Sequence, residues 1–100
     1  MTQEKNVGPV NLEDILSSRG RVRILKILVG VGELNISEIA RRAALNYTTT
    51  NQHLNALVKA GLIQEKDFGK IRIFRFREEN QRAQAIKQLV NFWESNKTCR

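Results

Sequence analysis

The sequence of 100 residues has a single cysteine, Cys99, a single histidine, His53, and a single proline. One cysteine excludes a disulfide framework and a cysteine-rich zinc site, and no second histidine or carboxylate cluster accompanies His53. No apolar run approaches the roughly 18 residues of a transmembrane helix, and the polar N-terminus lacks the core of a signal peptide. We therefore expect a cytoplasmic protein that spans no membrane and binds no metal or other cofactor.

Catalytic signatures are also missing from the sequence. It contains no nucleophile–base pair, no glycine-rich phosphate loop and no carboxylate dyad, so an enzyme is not expected. Negative charge is scarce as well: 17 Lys and Arg face 10 Asp and Glu, which gives a net charge of +7. This excess favours a polyanionic partner, most simply nucleic acid, for a chain whose length corresponds to about one domain.

Hydrophobic periodicity predicts a mainly α-helical protein with a small β-hairpin. Helices are expected over residues 12–16, 19–30, 37–44, 47–60 and 78–97. Asn11, the Ser17-Ser18 pair and Ser37 are the expected N-caps, and Gly30 and Gly32 are expected to end the second helix. A short strand is expected over residues 34–36, and hairpin strands over residues 62–66 and 71–77 with a loop over residues 67–70.

Two short helices before a basic hairpin make a winged helix-turn-helix with about five helices. Small residues such as Ala40 and Ala43 allow the helix over residues 47–60 to cross closely and to project outward. The predicted organisation is a flexible tail over residues 1–10, the winged helix-turn-helix over residues 11–77 and a dimerisation helix within residues 78–100.

The projecting helix carries hydroxyl and amide side chains that suit base edges and phosphates in a major groove. These predicted DNA contacts are Tyr47, Thr48, Thr49, Asn51, Gln52 and Asn55. Ser37 and Arg42 on the preceding helix are expected to contact the DNA backbone. Taken alone, this polar face also fits a simple solvated surface. Its place between a helix-turn and a basic hairpin favours DNA contact.

The hairpin alternates, which places Phe74 and Phe76 on the face toward the core. The predicted wing contacts with the minor groove or the flanking phosphates are Lys66, Lys70 and Arg72. The alternative is that basic residues only protect an exposed edge strand, and this is the favoured interpretation for Arg75 and Arg77.

The last helix is more apolar than a single small domain requires. Residues of the first and last helices are therefore predicted to form a homodimer interface, although they could instead close the core of one protomer. The predicted interface residues are Leu12, Ile15, Leu16, Ile86, Leu89, Val90 and Trp93.

Three segments together resemble the ArsR-like winged-helix repressors. They are RVRILKIL (residues 21–28), ISEIA (residues 36–40) and HLNALVKAGLI (residues 53–63), within a resemblance that spans about residues 12–77. The resemblance implies a dimeric transcription regulator whose recognition helix covers residues 47–60. It also implies that Asn51 and His53 occupy positions that contact DNA, and that Thr50 is buried.

Two departures from the family pattern limit what the resemblance implies. The family's metal sensors carry a cysteine motif in the third helix or His, Asp and Glu ligands in the last helix, and this chain has neither. A DNA-binding role is implied, whereas metal sensing is not. Ala44 also stands where a turn glycine is common.

The sequence therefore predicts a sequence-specific double-stranded DNA-binding transcription regulator that acts as a homodimer. Its recognition helix is expected in the major groove, and its wing over residues 66–72 on the flanking backbone or minor groove. One alternative is an architectural DNA-binding protein held mainly by phosphate contacts. The other is a winged-helix module that binds another protein.

Overall fold

The computed structural model describes residues 10–97. The elements of this part, in chain order, are α1 (Leu12–Leu16), α2 (Arg19–Val31), β1 (Glu33–Asn35), α3 (Ile36–Ala43), α4 (Tyr47–Lys59), β2 (Ile63–Phe68), β3 (Ile71–Phe76) and α5 (Gln81–Lys97). The predicted winged helix-turn-helix with five helices is confirmed. Most of the predicted tail (residues 1–9) and Cys99 lie outside the described residues.

The helix ends follow local capping chemistry, although several differ from the prediction, and α5 begins at Gln81 rather than at residue 78. Ser18 caps α2 as expected, its hydroxyl accepting from the backbone N–H of Arg21 at 3.2 Å. Gly30 does not end α2, because the helix continues to Val31 and terminates at Gly32 with φ of +87°. The N-cap of α3 is Asn35 rather than Ser37: the Asn35 side chain, on extended backbone, accepts from the N–H of Glu38 at 2.9 Å.

The core lies between the helices and one face of the sheet. It contains Ile15, Ile24, Leu25, Leu28, Ile36, Ile39, Ala43, Leu54, Leu57, Leu62, Ile63, Phe74, Phe76, Ala83 and Ile86. Phe74 and Phe76 are buried as predicted. Val58 is exposed because it is turned about 100° around the helix from the buried Leu57. The first turns of α5 contribute Ala83 and Ile86 to this core, so α5 is packed against the rest of the fold.

The sheet has three antiparallel strands in the order β1-β3-β2. The predicted hairpin is present, but its strands reach Phe68 and Ile71, so the connection is the two-residue turn Gly69-Lys70 rather than the loop over residues 67–70. Gly69 has φ of +65°, which a residue without a Cβ adopts freely. The strand before α3 covers residues 33–35 and pairs with β3, with Leu34 opposite Phe74. The wing is therefore joined to the chain segment that precedes the helix-turn-helix.

The turn between α3 and α4 begins at Ala44, whose φ of +58° and ψ of +45° are left-handed. The N–H of Leu45 bonds to the carbonyl of Ala40 at 3.0 Å, and the N–H of Ala44 bonds to that of Arg41 at 3.2 Å. This is the Schellman arrangement, which places a left-handed residue just past the helix end. Alanine adopts here the conformation that glycine adopts at lower cost.

Candidate nucleic-acid interface

Helix α4 projects one polar face away from the protein. Its buried side consists of Thr50, Leu54 and Leu57, all fully buried. The hydroxyl of Thr50 donates to the backbone carbonyl of the N-cap residue Asn46 at 2.8 Å, so this buried polar group is satisfied. The burial of Thr50 implied by the family resemblance is confirmed.

Thr48, Gln52 and Asn55 form the outward stripe of α4. They are exposed, and their spacing of four and three residues places them on the same helical face. In the part of the chain that the structure describes, none of the three is hydrogen-bonded to another side chain. Their hydroxyl and amide groups are therefore available to a ligand such as the edge of a base pair.

A second group on α4, Tyr47 and Asn51, faces the wing and contacts Arg72 of β3. The Arg72 guanidinium donates from Nε and Nη2 to the carboxylate of Glu65 on β2, at 2.7 and 3.2 Å. Its Nη1 donates to the Tyr47 hydroxyl at 3.0 Å and to Asn51 Oδ1 at 2.8 Å. The bond to Arg72 lowers the pKa of Glu65, and the bond to Glu65 raises the pKa of Arg72. Arg72, predicted as a wing contact, thus reaches α4 rather than the wing tip.

Thr49 and His53 lie one helical turn apart on a third side of α4, and His53 contacts α2. His53 is half-buried, and its Nδ1 accepts a hydrogen bond from Arg21 Nε at 3.3 Å. The two helices approach so closely here that a Cβ on Gly20 would lie 2.9 Å from His53 Nε2. Burial, followed by the charge of Arg21, lowers the pKa of His53. The ring of His53 is therefore packed between helices and does not lie on the outward stripe.

Most wing cations are paired with carboxylates of the same chain. Lys66 is 3.2 Å from Glu33 on β1, and Arg75 and Arg77 both contact Glu79. The Arg75 bond, which is the largest cause, lowers the pKa of Glu79 to about 2. Lys70, at the tip of the hairpin, is exposed and has no carboxylate partner within residues 10–97.

The two predicted backbone contacts on α3 are both exposed. Ser37 is the second residue of the helix, and Arg42 lies in its last turn. Arg42 bonds through Nε to Glu38 at 3.0 Å. Glu38 also binds Arg41, and the bond to Arg41, which is the largest cause, lowers the pKa of Glu38 to about 2.

The predicted dimer residues separate into two classes. Ile15 and Ile86 are only 4% and 9% exposed and belong to the core of one protomer, which corrects their assignment as contact residues. Leu12, Leu16, Leu89 and Trp93 are exposed, and Val90 is half-buried. A groove of about 350 Å³ runs between α2 and α5, and the Lys26–Glu94 ion pair, at 3.2 Å, lines it. Apolar surface therefore remains on α5 after the protomer core has formed.

Sequence reasoning missed an apolar pair at the tip of the wing and the close helix contact at Gly20. Phe68 and Ile71 flank the turn, face each other in the register and are both exposed. The sequence does show two large apolar residues on either side of Gly69-Lys70. The predicted loop over residues 67–70 placed Phe68 outside the strand, so the pairing of Phe68 with Ile71 was not recognised. The role of Gly20 had no signal in its neighbours along the chain, because it depends on a histidine 33 positions later.

Among residues 10–97, no group of three or more His, Cys, Asp or Glu side chains is placed to hold a metal ion. The helices of this part are also too short or too polar to cross a membrane.

The chain matches a family model described as bacterial regulatory protein, arsR family, over residues 18–65. It is 32% identical over 80 residues to the cadmium resistance transcriptional regulatory protein CadC of Listeria innocua, an alignment that covers 80% of this chain and 66% of that protein.

Solved structures share the fold. The transcriptional repressor BigR of Xylella fastidiosa superposes with a TM-score of 0.70 at 24% identity, over 82% of this chain and 78% of that one. A homodimeric winged helix-turn-helix DNA-binding domain of Mycobacterium bovis superposes with a TM-score of 0.65 at 22% identity, over 88% of this chain and 89% of that one. The resemblance inferred from the sequence is confirmed. The chain is a winged helix-turn-helix transcription regulator that belongs to the ArsR family.

Proposed function

We propose that this regulator binds specific sequences of double-stranded DNA as a homodimer, with α4 in the major groove. The observation that carries the proposal is the outward stripe of Thr48, Gln52 and Asn55. Their side chains can form hydrogen bonds, are exposed on the projecting helix of a helix-turn-helix, and are not bonded to other side chains within residues 10–97. Gln and Asn amides can bond two atoms of one base edge, which discriminates against a wrong base by about 1–3 kcal/mol per contact.

The remaining contacts that we propose hold the protein on the DNA backbone. Lys70 is the strongest candidate in the wing, because its charge is exposed and unpaired within residues 10–97. Lys66 forms an ion pair with Glu33, and Arg42 forms one with Glu38. Each of these cations therefore adds less to the attraction between the protein and the DNA phosphates. Ser37 and Thr49 add hydroxyl donors beside the backbone N–H groups that begin α3 and α4.

We propose His53 as a packing residue rather than a direct contact with a base. Its Nδ1 is already occupied by Arg21, and its Nε2 edge lies against Gly20. Replacing His53 would then alter the position of α4 rather than delete a single base contact.

We assign the homodimer interface to the exposed apolar surface of α5 with α1. Leu89 and Trp93 are 46% and 63% exposed, which is unusual for large apolar side chains on the same helix of a small protein. The M. bovis domain with the same fold is homodimeric. In a two-fold dimer on DNA, the two α4 helices would lie about 34–36 Å apart, one turn of the duplex.

Selection of bound duplexes from a random pool, followed by competition at fixed salt, tests DNA recognition. We expect the selected duplex to bind at least about 10³-fold more tightly than random DNA. Gln52→Ala and Asn55→Ala should each lose discrimination at one base pair, whereas Gln88→Ala, an exposed glutamine on α5, should bind as the wild type does.

Each alternative function has its own outcome in this experiment. A specificity ratio near one identifies an architectural DNA-binding protein. The absence of any DNA binding would favour a module that binds another protein. We also propose that DNA binding requires no metal, and binding that EDTA abolishes would refute this.

Sedimentation at micromolar concentration tests the dimer. Leu89→Glu should give monomers, because it places a charge in the proposed contact between copies. Ile71→Glu changes a residue of similar exposure at the wing tip and should remain dimeric. A wild type that is monomeric both with and without DNA would refute the homodimer.

A further inference from the structure

Arg72 links the wing to the recognition helix through every nitrogen of its guanidinium. Nε and Nη2 bond to Glu65, and Nη1 bonds to both Tyr47 and Asn51. The guanidinium carbon also lies 5.4 Å from the ring centroid of Phe74, which is fully buried. Glu65 and Phe74 hold the guanidinium from the side of the wing, so its position does not depend on α4.

The chemistry of a guanidinium determines what its partners can offer to a ligand. It carries only donors, so the atoms of α4 that face it must be acceptors. The Asn51 side chain therefore turns Oδ1 toward Arg72, and its planar amide directs the two Nδ2 hydrogens away from that contact. The Tyr47 oxygen accepts from Arg72, so its own proton is left for another acceptor.

We propose that Arg72 is a positioning residue that makes Asn51 and Tyr47 hydrogen-bond donors toward DNA. Asn51 then favours base edges that present only acceptors, guanine N7 and O6 or thymine O4, over adenine, whose N7 acceptor lies beside the N6 donor. The usual contact of asparagine with adenine requires the amide oxygen to accept from N6, and here that oxygen is held toward the wing by a cation at 2.8 Å. The inference rests on the proposed function and specifies what one residue of the recognition helix reads.

The ion pair with Glu65 separates this role from that of an ordinary wing cation. Because the charge of Arg72 is balanced by a carboxylate at 2.7 Å, Arg72 contributes little to the attraction of phosphates. Lys70, five residues from Glu65 on the same hairpin, is exposed and makes no hydrogen bond or ion pair with α4 in the described part of the chain. Removing either residue deletes one positive charge, but only Arg72 is expected to affect the choice of base.

Selection from a random pool with the wild type and four variants tests the inference. Comparing the wild type with Asn51→Ala locates the base pair that Asn51 reads, where we expect guanine or thymine with a preference of roughly 5- to 150-fold. Arg72→Met should shift the preference at this base pair toward adenine and leave the preferences at the positions that Gln52 and Asn55 read unchanged. Lys70→Met should weaken binding to every duplex by one common factor and change no preference.

Arg72→Lys should restore the wild-type preference for guanine or thymine at this base pair, because an ammonium group still donates to Asn51 Oδ1. Circular dichroism confirms that each variant is folded. If Arg72→Met does not fold, the base that the wild type selects at the Asn51 position still decides the question.

Adenine at that position in the wild type would overturn the inference. So would an Asn51→Ala variant with no change at any base pair, or an Arg72→Met variant that loses affinity uniformly. These results leave specific DNA binding intact and are thus distinguishable from failure of the proposed function, in which the wild type selects no duplex.

Discussion

Replacing Ala44 by glycine should stabilise the protein. A residue with a Cβ pays about 1–2 kcal/mol for the left-handed conformation, and Ala44 has φ of +58° and ψ of +45°. The greater conformational freedom of glycine in the unfolded chain offsets about 0.5–1 kcal/mol of the stabilisation that relief of this strain would give. The Ala44 side chain is exposed, so its removal leaves no cavity. We expect the free energy of unfolding to rise by up to about 1 kcal/mol, which for a domain of this size is a Tm increase of roughly 4–8 °C per kcal/mol.

Urea and thermal denaturation measure this change. Wild type and variant must be compared at the same protein concentration, because unfolding of a dimer depends on it. Ala85→Gly is the matched control: the same substitution at an exposed position inside α5 should lower the free energy of unfolding by about 1 kcal/mol.

The two variants should therefore change stability in opposite directions. If Ala44→Gly leaves stability unchanged or lowers it while Ala85→Gly is destabilising, the reasoning about backbone strain at the turn is wrong. Affinity for DNA should not change in Ala44→Gly, since the hydrogen bond from the Leu45 N–H to the Ala40 carbonyl, which sets the turn, is made by backbone atoms.

Three further predictions concern the contacts of α4. Because the pKa of His53 in the folded protein lies below its ordinary 6.5, the unfolded chain takes up a proton first, and the free energy of unfolding should fall as the pH is lowered from 7 to 5. Urea titrations should show a smaller fall for His53→Gln, and an equal fall would exclude His53 as its source. Gly20→Ala should destabilise the wild type through its contact with His53 at 2.9 Å, and the cost should be smaller in a His53→Ala background; equal costs in the two backgrounds would argue against that contact. Thr50→Val keeps the shape but removes the bond to the Asn46 carbonyl, and should cost about 1 kcal/mol in urea denaturation; no loss would mean that this bond contributes nothing.

The local parts of the fold were predictable because their signals are local. The periodic apolar residues of α4, the cap at Ser18 and the alternation that buries Phe74 and Phe76 each depend on neighbours within a few positions. The cap of α3 was misplaced because Asn35 and Ser37 are both good capping residues. Only the backbone conformation, set by the pairing of β1, distinguishes them.

The candidate site was predictable as a face but not as a set of contacts. Spacing alone placed polar residues on α4, yet it could not separate the outward Gln52 from His53, which packs against α2. The wing appeared strongly basic because charges were counted along the chain. Its carboxylate partners include Glu33, which folding brings to Lys66 from 33 residues away. Ion pairs between residues so far apart in the chain depend on the strand register, which a short stretch of sequence does not determine.

The pairing of β1 with β3 also limits how this wing can be exchanged. Residues 33–35 hydrogen-bond along the inner edge of β3, and the N–H of Phe76 bonds to the carbonyl of Gly32 at 2.8 Å. A hairpin transplanted from a relative would have to pair with residues 33–35 of this chain. Its own equivalent of Phe74 would then have to pack opposite Leu34. The unit that can be moved between proteins is therefore discontinuous, and consists of the hairpin over residues 63–76 together with the three residues that precede the helix-turn-helix.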